Sequence, residues 1–406
     1  MSAERYSHEV IRLSNGIRFP LLMDTHERLP HGLVTDYSLE HHYAKPLSTC
    51  RSIVDTIGMF LNWADKRRID LDERFGTGNL FDSKEVTALA QYLWTRRNGN
   101  PQSTGRCKTK SKPQSVVGQT QANRIDQVLH FMAWRTARVV SSLPVHDQRV
   151  ANINERLSSI AGQLKELKGK SVSTPRGLIS EEQALRLFQI VRPGSDENPF
   201  HKETQLRNFF ILLLYYELGP RRAEPLLVKG THLHIGPRAT IFLTYTPHDV
   251  ADPRIDQPSL KTVPRLLPMG RLLATTAHRL LRVRHSSPRT AAAAKKTPFL
   301  VLNSDNAKPL SLSAIYDLFV LLRERFPDDF PPDFAAHHLR RAWNYRFSNA
   351  IETAGIDSVL ADHLRRYIMG WSKTSKQPAN YNQKFIEEQA FKILLGMQDT
   401  LSKEFE

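Results

Sequence analysis

The chain has 406 residues, more than a single hydrophobic core usually holds, so two or three domains are expected. Lys and Arg number 57 against 41 acidic residues, a formal charge of +16 that favours a polyanionic partner, while Cys50 and Cys107 are too few for a disulfide framework or a CxxC-type zinc site. The longest apolar run, Phe209 to Tyr216, is far shorter than the ~20 residues that span a bilayer, and no GxxxxGK[ST], HExxH or GxGxxG occurs, which leaves membrane insertion and nucleotide-driven, zincin and Rossmann chemistry without support.

Residues 1–45 show little helical periodicity and contain Pro20 and Pro30; they are read as an N-terminal arm or small subdomain with no assigned role. The first nine residues carry no apolar signal-peptide core, so a cytoplasmic, nucleoid-associated protein is expected. From Leu47 the pattern turns helical. Ile53, Ile57, Phe60, Leu61 and Trp63 recur every three or four residues, and Val86, Leu89, Ala90, Tyr92 and Leu93 do so again after a cap at Asp82-Ser83. Residues 96–115, with Lys108, Lys110 and Lys112, read as a basic loop. A further helix over 120–142 turns Ile125, Val128, Leu129, Met132, Ala133 and Val140 inward and carries Arg124, Arg135 and Arg138. Residues 46–165 thus form a basic, all-helical domain, and the Gly- and Lys-containing stretch from Gly162 to Pro175 is the best linker candidate, with the linker placed at 166–178.

The second domain, 179–406, opens on Ser180 and Gln183, a capping-box pair. A strongly apolar helix over 204–218 stops at Gly219-Pro220, and Arg221 and Arg222 follow at once. Strand character appears at 231–235, 239–246 and 264–268. The remainder reads as helices over 271–283, 312–326, 336–354, 356–368 and 385–401, so the fold class is mainly α with a small antiparallel sheet in the second domain.

Within the helix at 336–354, Phe334-Ala-Ala-His-His-Leu-Arg-Arg-Ala-Trp343 sets an imidazole and a guanidinium three residues apart, on one helix face. Such a pair can move a proton and grip two phosphate oxygens. H-x-x-R nevertheless occurs four times, at His146/Arg149, His337/Arg340, His338/Arg341 and His363/Arg366, and each copy alone is compatible with a solvated helix face. The frames His337/Arg340 and His338/Arg341 differ by about 100° of helix rotation, and spacing does not choose between them.

Taken in order, residues 179–406 resemble the catalytic domain of the tyrosine recombinases, the phage-integrase family, and the helical domain before them resembles that family's core-binding domain. A buried helix ending in G-x-R-x-x-E appears as Leu218-Gly-Pro-Arg-Arg-Ala-Glu224, and a hairpin K-T stretch before R-x-x-P appears as Leu260-Lys-Thr-Val-Pro-Arg-Leu-Leu-Pro268. The H-x-L-R box selects His337 and Arg340 through Leu339. The L-G-H/W-S box followed by a tyrosine appears as Met369-Gly-Trp-Ser372 and Tyr381, one residue longer than the usual gap, with extra residues between Arg340 and Trp371 and a long loop before Lys261. The resemblance therefore implies a divergent member.

It implies Tyr381 as nucleophile, Arg221 and Arg340 as clamps on the phosphoryl oxygens, Lys261 as general acid, His337 as proton carrier, Trp371 as a packing indole N–H donor and Glu224 as a supporting acid. Each has a plain alternative: Arg221 as a helix cap, Glu224 as a surface carboxylate, Lys261 as a solvated cation, Trp371 as core and Tyr381 as a loop aromatic. Tyr367 is a rival nucleophile, and His363 competes for the third-box position. The expected activity is site-specific cutting and rejoining of double-stranded DNA through a 3′-phosphotyrosine, without metal, cofactor or ATP. The expected assembly is a homotetramer on two DNA sites, joined through the helix at 385–401 and aided by accessory DNA-bending proteins. The alternatives are a type IB topoisomerase or resolvase, or a DNA-binding protein that kept the fold and lost catalysis.

Overall fold

A computed structural model describes residues 4–42, 45–96, 115–144, 146–170, 177–284, 286 and 290–372. The chain divides into two compact units, Met1–Pro175 and Arg176–Glu406.

In the first unit the apolar residues near the N-terminus, Val10-Ile11 and the run from Phe19 to Met23, carry no helical period, and a sheet forms. Strands β1 (Tyr6–Arg12) and β2 (Arg18–Asp24) pair antiparallel from Tyr6↔Asp24 to Arg12↔Arg18, and β3 (Leu29–Pro30) adds to β2 at Met23↔Pro30 and Asp24↔Leu29. Pro20 is tolerated inside β2 because β3 covers only Met23 and Asp24, so β2 is an edge at the residue that lacks an N–H. Helices α1 (Gly32–His42), α2 (Leu47–Lys66), α3 (Leu71–Thr77), α4 (Ser83–Trp94), α5 (Gly118–Ser141) and α6 (Gln148–Glu166) complete the unit. Leu22, Val34 and Tyr37 share one core with Ile57, Phe60, Leu89 and Phe131, so the N-terminal stretch is built into this unit rather than standing off as an arm. Asn62 of α2 binds both the N–H and the C=O of Tyr6, each at 2.9 Å, satisfying an edge-strand residue.

Asp82 caps α4 as expected, and Glu85, which was not foreseen, makes the cap reciprocal by accepting the Asp82 N–H. Helix α6 was not expected. Asp147 caps it and Ile153, Ile160 and Leu164 turn inward, so it runs through Gly162 and Lys165 into the stretch read as the start of the linker. The basic loop expected at 96–115 lies almost wholly outside the described residues.

Among its described residues the second unit is mostly helical with one small antiparallel sheet. Helix α7 (Glu181–Val191) begins with the expected capping box: Ser180 Oγ accepts the Gln183 N–H at 3.1 Å and Gln183 Oε1 accepts the Ser180 N–H at 3.0 Å. Helix α8 (Lys202–Leu218) is the centre of the core, with Phe210 through Leu214 buried without interruption. A helix apolar all round must be covered on every side. Strands β4 (Leu233–His234), β5 (Thr240–Leu243) and β6 (Arg265–Pro268) form an antiparallel sheet in that order, with Ile241 opposite Leu267. Pro264 precedes β6 rather than sitting in it, and Pro268 falls in a strand that, among the described residues, has β5 as its one neighbour.

Helices α9 (Arg271–Val283), α10 (Ala291–Lys296), α11 (Leu312–Arg325), α12 (Ala336–Thr353) and α13 (Ser358–Met369) follow. Helices α9 and α12 pack on α8, and α13 meets β6. Helix α13 starts two residues later than the periodicity suggests because Asp357 is its N-cap, accepting the Val359 and Leu360 N–H groups at 3.0 Å. The helix expected at 385–401 lies outside the described residues. Among the described residues no helix is long and apolar enough to cross a membrane.

Candidate active site

The site begins where α8 ends. Gly219, at φ +58°, closes the helix in the left-handed region, and a Cβ there would lie 2.9 Å from Trp343 Cγ and 3.0 Å from Met369 Cε. The last carbonyls of a helix have no partner within it. Here α12 supplies donors from one face: Arg340 Nη1 to Gly219 O, Trp343 Nε1 to Glu217 O at 2.8 Å, and Arg346 Nη2 to Tyr216 O. The three-residue spacing of Arg340, Trp343 and Arg346 is the helical repeat that brings each donor to the same end of α8.

The turn that follows carries Arg221, Arg222 and Glu224. It is held by the Glu224 N–H donating to Arg221 O at 2.9 Å and by the Tyr215 hydroxyl donating to Arg222 O at 2.8 Å. Arg221 is half-buried, with its Nη1 atom shielded from solvent.

Glu224 is not a surface carboxylate. Its side chain is 1 % exposed; Oε2 accepts from Arg265 Nη2 at 2.6 Å and Oε1 accepts from the Thr262 hydroxyl at 2.9 Å. Arg265, equally buried, also donates through Nε to Ile368 O at 2.6 Å. The Val263 N–H donates to Gly370 O at 2.9 Å. Gly370, at φ +64°, leaves room for this approach, since a Cβ there would lie 2.8 Å from Val263 O and 2.8 Å from Arg265 Nη1. The segment bearing the exposed Lys261 is thereby tied to the Arg221–Glu224 turn on one side and to the C-terminus of α13 on the other. The long loop before Lys261 is pinned as well: the buried pair Arg254–Asp252, at 2.7 Å, sends further Arg254 bonds to Leu226 O at 3.2 Å and Leu310 O at 2.7 Å.

On α12, Ala336, Leu339 and Ala342 point into the core, so the two H-x-x-R frames separate. Arg340 is 2 % exposed and reaches the end of α8, with its guanidinium carbon 5.7 Å from the Trp371 ring centroid. Arg341 turns to Gly177 O at 2.8 Å. Trp371 is buried in a cluster with Trp343 and Met369. His337 is exposed on the first turn, and its ring centroid lies 4.4 Å from that of buried His338. His338 Nδ1 accepts the Ala335 N–H at 3.2 Å, and burial pushes its pKa down, so the ring is neutral at pH 7 with its proton on Nε2. Asp333, His337 and His338 bring possible ligand atoms within 4.8 Å of one another, but ligation through His338 Nε2 would displace that proton and cost the cap.

The fold brings together Arg340, Trp371, the turn carrying Arg221 and Glu224, and the segment following Lys261. His337 stands at the exposed rim, and His363 is exposed on α13. Tyr381 lies outside the described residues. The rival Tyr367 is 58 % exposed and donates its hydroxyl to Leu266 O at 3.0 Å. Sequence reasoning missed the parts Arg265 and Thr262 play, although both stand in the quoted K-T…R-x-x-P stretch. It also missed Arg365, which is buried and crosses from α13 to Asn344 O at 3.2 Å and Ser348 Oγ at 2.8 Å on α12; burial brings its pKa down to about 10. A lone arginine in a helix carries no signal of such a role.

No protein-family model matches this chain, and no curated protein sequence does. Solved structures do. XerH site-specific recombinase bound to difH substrate in a pre-cleavage complex superposes with a TM-score of 0.53 at 14 % identity, over 85 % of this chain and 79 % of that one. XerH in a post-cleavage complex with a palindromic difH substrate gives 0.51 at 12 % identity, over 85 % and 79 %. The Tn1549 transposon integrase in complex with circular intermediate DNA gives 0.48 at 12 % identity, over 87 % and 98 %.

Proposed function

From the tyrosine recombinase fold that this chain has, we propose that it is a site-specific DNA recombinase that cuts and rejoins duplex DNA through a 3′-phosphotyrosine. The observation that supports this most is the tie between three sequence-distant segments at one end of α8. Arg340 binds Gly219 O two residues before Arg221, and Glu224 of the same turn holds the Thr262 that follows Lys261.

In the proposed reaction Arg221 and Arg340 bind the non-bridging oxygens of the scissile phosphate and neutralise the charge that builds there. Losing one such donor costs on the order of 3 kcal/mol of barrier. The Tyr381 hydroxyl attacks phosphorus; the Tyr381 Oη–P bond forms and the P–O5′ bond breaks. His337 takes up the phenolic proton, and Lys261 protonates the departing 5′ oxygen. Rejoining reverses these steps: a 5′ hydroxyl attacks, the phosphotyrosine bond breaks and Tyr381 regains its proton. Bond energy is conserved in the covalent link, so neither ATP nor a metal is required. Trp371 packs behind Arg340. The helical N-terminal domain supplies much of the affinity through phosphate contacts. The segment 385–401 joins four protomers on two DNA sites.

The test is a nicked suicide duplex, of a sequence mapped by pull-down with the Tyr381→Phe protein, incubated in EDTA. A covalent protein–DNA adduct that vanishes in Tyr381→Phe is expected. Undiminished adduct in that variant moves the nucleophile to Tyr367, and no adduct from the wild-type chain makes the protein a DNA binder. A two-site exchange assay separates recombination from the relaxation of a topoisomerase.

A further inference from the structure

At the other end of α8 from the candidate active site lies a cavity of about 420 Å³, bounded by the start of α8, the end of α9 and the segment 300–307. Arg207, which lines it, precedes Gly219 by twelve residues, about 18 Å at the rise of an α-helix. The volume falls in the range of small-molecule sites. Among the described residues its charge is one-sided: Lys202, Arg207, Arg279 and Arg284 line it against one carboxylate, that of Glu203.

Arg207 shows that the positive charge is built in. Its Nη1 donates to Leu302 O at 2.9 Å, and Nε and Nη2 donate to Asn208 Oδ1 at 3.0 and 2.8 Å. Three of its five N–H groups are thereby fixed to neutral acceptors, and two remain for an acceptor in the cavity. Burial pulls its pKa down to about 10, with the charge of Asp305 acting in the opposite direction. No carboxylate among the described residues lies within ion-pairing distance of it. A guanidinium hydrogen-bonded to neutral oxygens, with Asp305 acting on it without a direct ion pair, keeps a charge that an anion would complement. Leu206, Leu280, Leu300 and Leu302 give the wall an apolar part beside the polar Thr290 and Asn303, and that apolar part suits a carbon skeleton better than a bare inorganic ion.

We propose that this cavity is a binding site for a small organic anion, a phosphate ester or carboxylate on an apolar body, separate from the surface that meets DNA. The anionic group bonds Arg207 and Arg279, and the body lies against the leucines.

Calorimetric titration of the full chain with 1-naphthyl phosphate tests this, with 1-naphthol and inorganic phosphate as the neutral and bodiless comparisons. One-site binding is expected, at least about tenfold tighter than for either comparison, because a charge-assisted bond and the apolar wall each contribute on the order of a tenfold factor. Arg279 is exposed and outside the core, so Arg279→Glu should fold normally, as circular dichroism would show, and weaken binding more than about tenfold. Ser304→Trp, which fills the cavity from its loop, should abolish binding. Equal binding of 1-naphthol, no binding by the wild-type chain, or binding unchanged in both folded variants would overturn the proposal. Displacement by a saturating 30-base-pair duplex would also overturn it, assigning these cations to DNA phosphates; undisturbed binding supports it. None of these outcomes depends on strand cleavage.

Discussion

Glu224 is the sharpest test of how the site is held. Glu224→Ala removes the carboxylate that accepts from Arg265 at 2.6 Å and from Thr262 at 2.9 Å, and leaves Arg265, its side chain 1 % exposed, without an ion-pair partner among the described residues. A charge-assisted bond contributes roughly 1.5–3 kcal/mol and a neutral one about 1 kcal/mol, while stranding one member of a buried pair costs about 3–5 kcal/mol. The expected loss is therefore about 4 kcal/mol. With a urea dependence of about 2 kcal/mol per molar, the unfolding midpoint of this unit should drop by about 2 M. Glu224→Gln keeps an oxygen acceptor and should lose about half as much. Urea unfolding followed by amide exchange of peptides spanning 219–228 and 262–269 reads the effect where it arises. The double variant Glu224→Ala/Arg265→Met should be more stable than either single one, because neither buried charge is then stranded. A drop below about 1 kcal/mol in Glu224→Ala, or additive losses in the double variant, would refute the claim that this pair organises the Lys261 segment.

Gly219→Ala should destabilise by about 2–4 kcal/mol, since it combines a left-handed backbone penalty of about 1–2 kcal/mol with a Cβ 2.9 Å from Trp343 Cγ. Gly194→Ala, at φ +87° with nothing within 4 Å, should lose the backbone part only; equal losses in thermal melts would contradict the close approach of α12. His338 is held neutral by burial, so its folded pKa lies below the ordinary 6.5, and the stability this provides is full above that value and declines as pH falls through it toward the folded pKa. His338→Asn keeps an acceptor for the Ala335 N–H without titrating, so its melting temperature should fall less than the wild type's between pH 7 and pH 5, and parallel curves would dismiss the assignment. Duplex affinity should fall steeply with salt, roughly a thousandfold between 50 and 200 mM for about six phosphate contacts, and a flat salt profile would argue against phosphate-dominated binding.

Much of the architecture is legible in the amino-acid sequence. The uninterrupted apolar run of α8 demanded burial on all sides, Gly219-Pro220 marked its end, and Ser180 with Gln183 marked the start of α7, because such signals act within a few residues of chain. The strands β1 and β2 and the sparse inward positions of α6, Ile153, Ile160 and Leu164, are not legible in the sequence because a short sheet without alternation and a thin stripe give weak periodic signals.

What the chain alone determined is the set of local elements and the identities of the chemical groups, since propensity, capping and apolar period are properties of neighbouring residues. Which arginine of the 340–341 pair faces the end of α8, and that Glu224 is a buried anchor rather than a solvated carboxylate, depended on tertiary structure. Arg340 and Gly219 are separated by 121 residues, and Glu224 and Arg265 by 41. Only packing of α12 on α8, driven by Leu339 and Trp343, brings the unsatisfied carbonyls of one helix to the guanidinium of another.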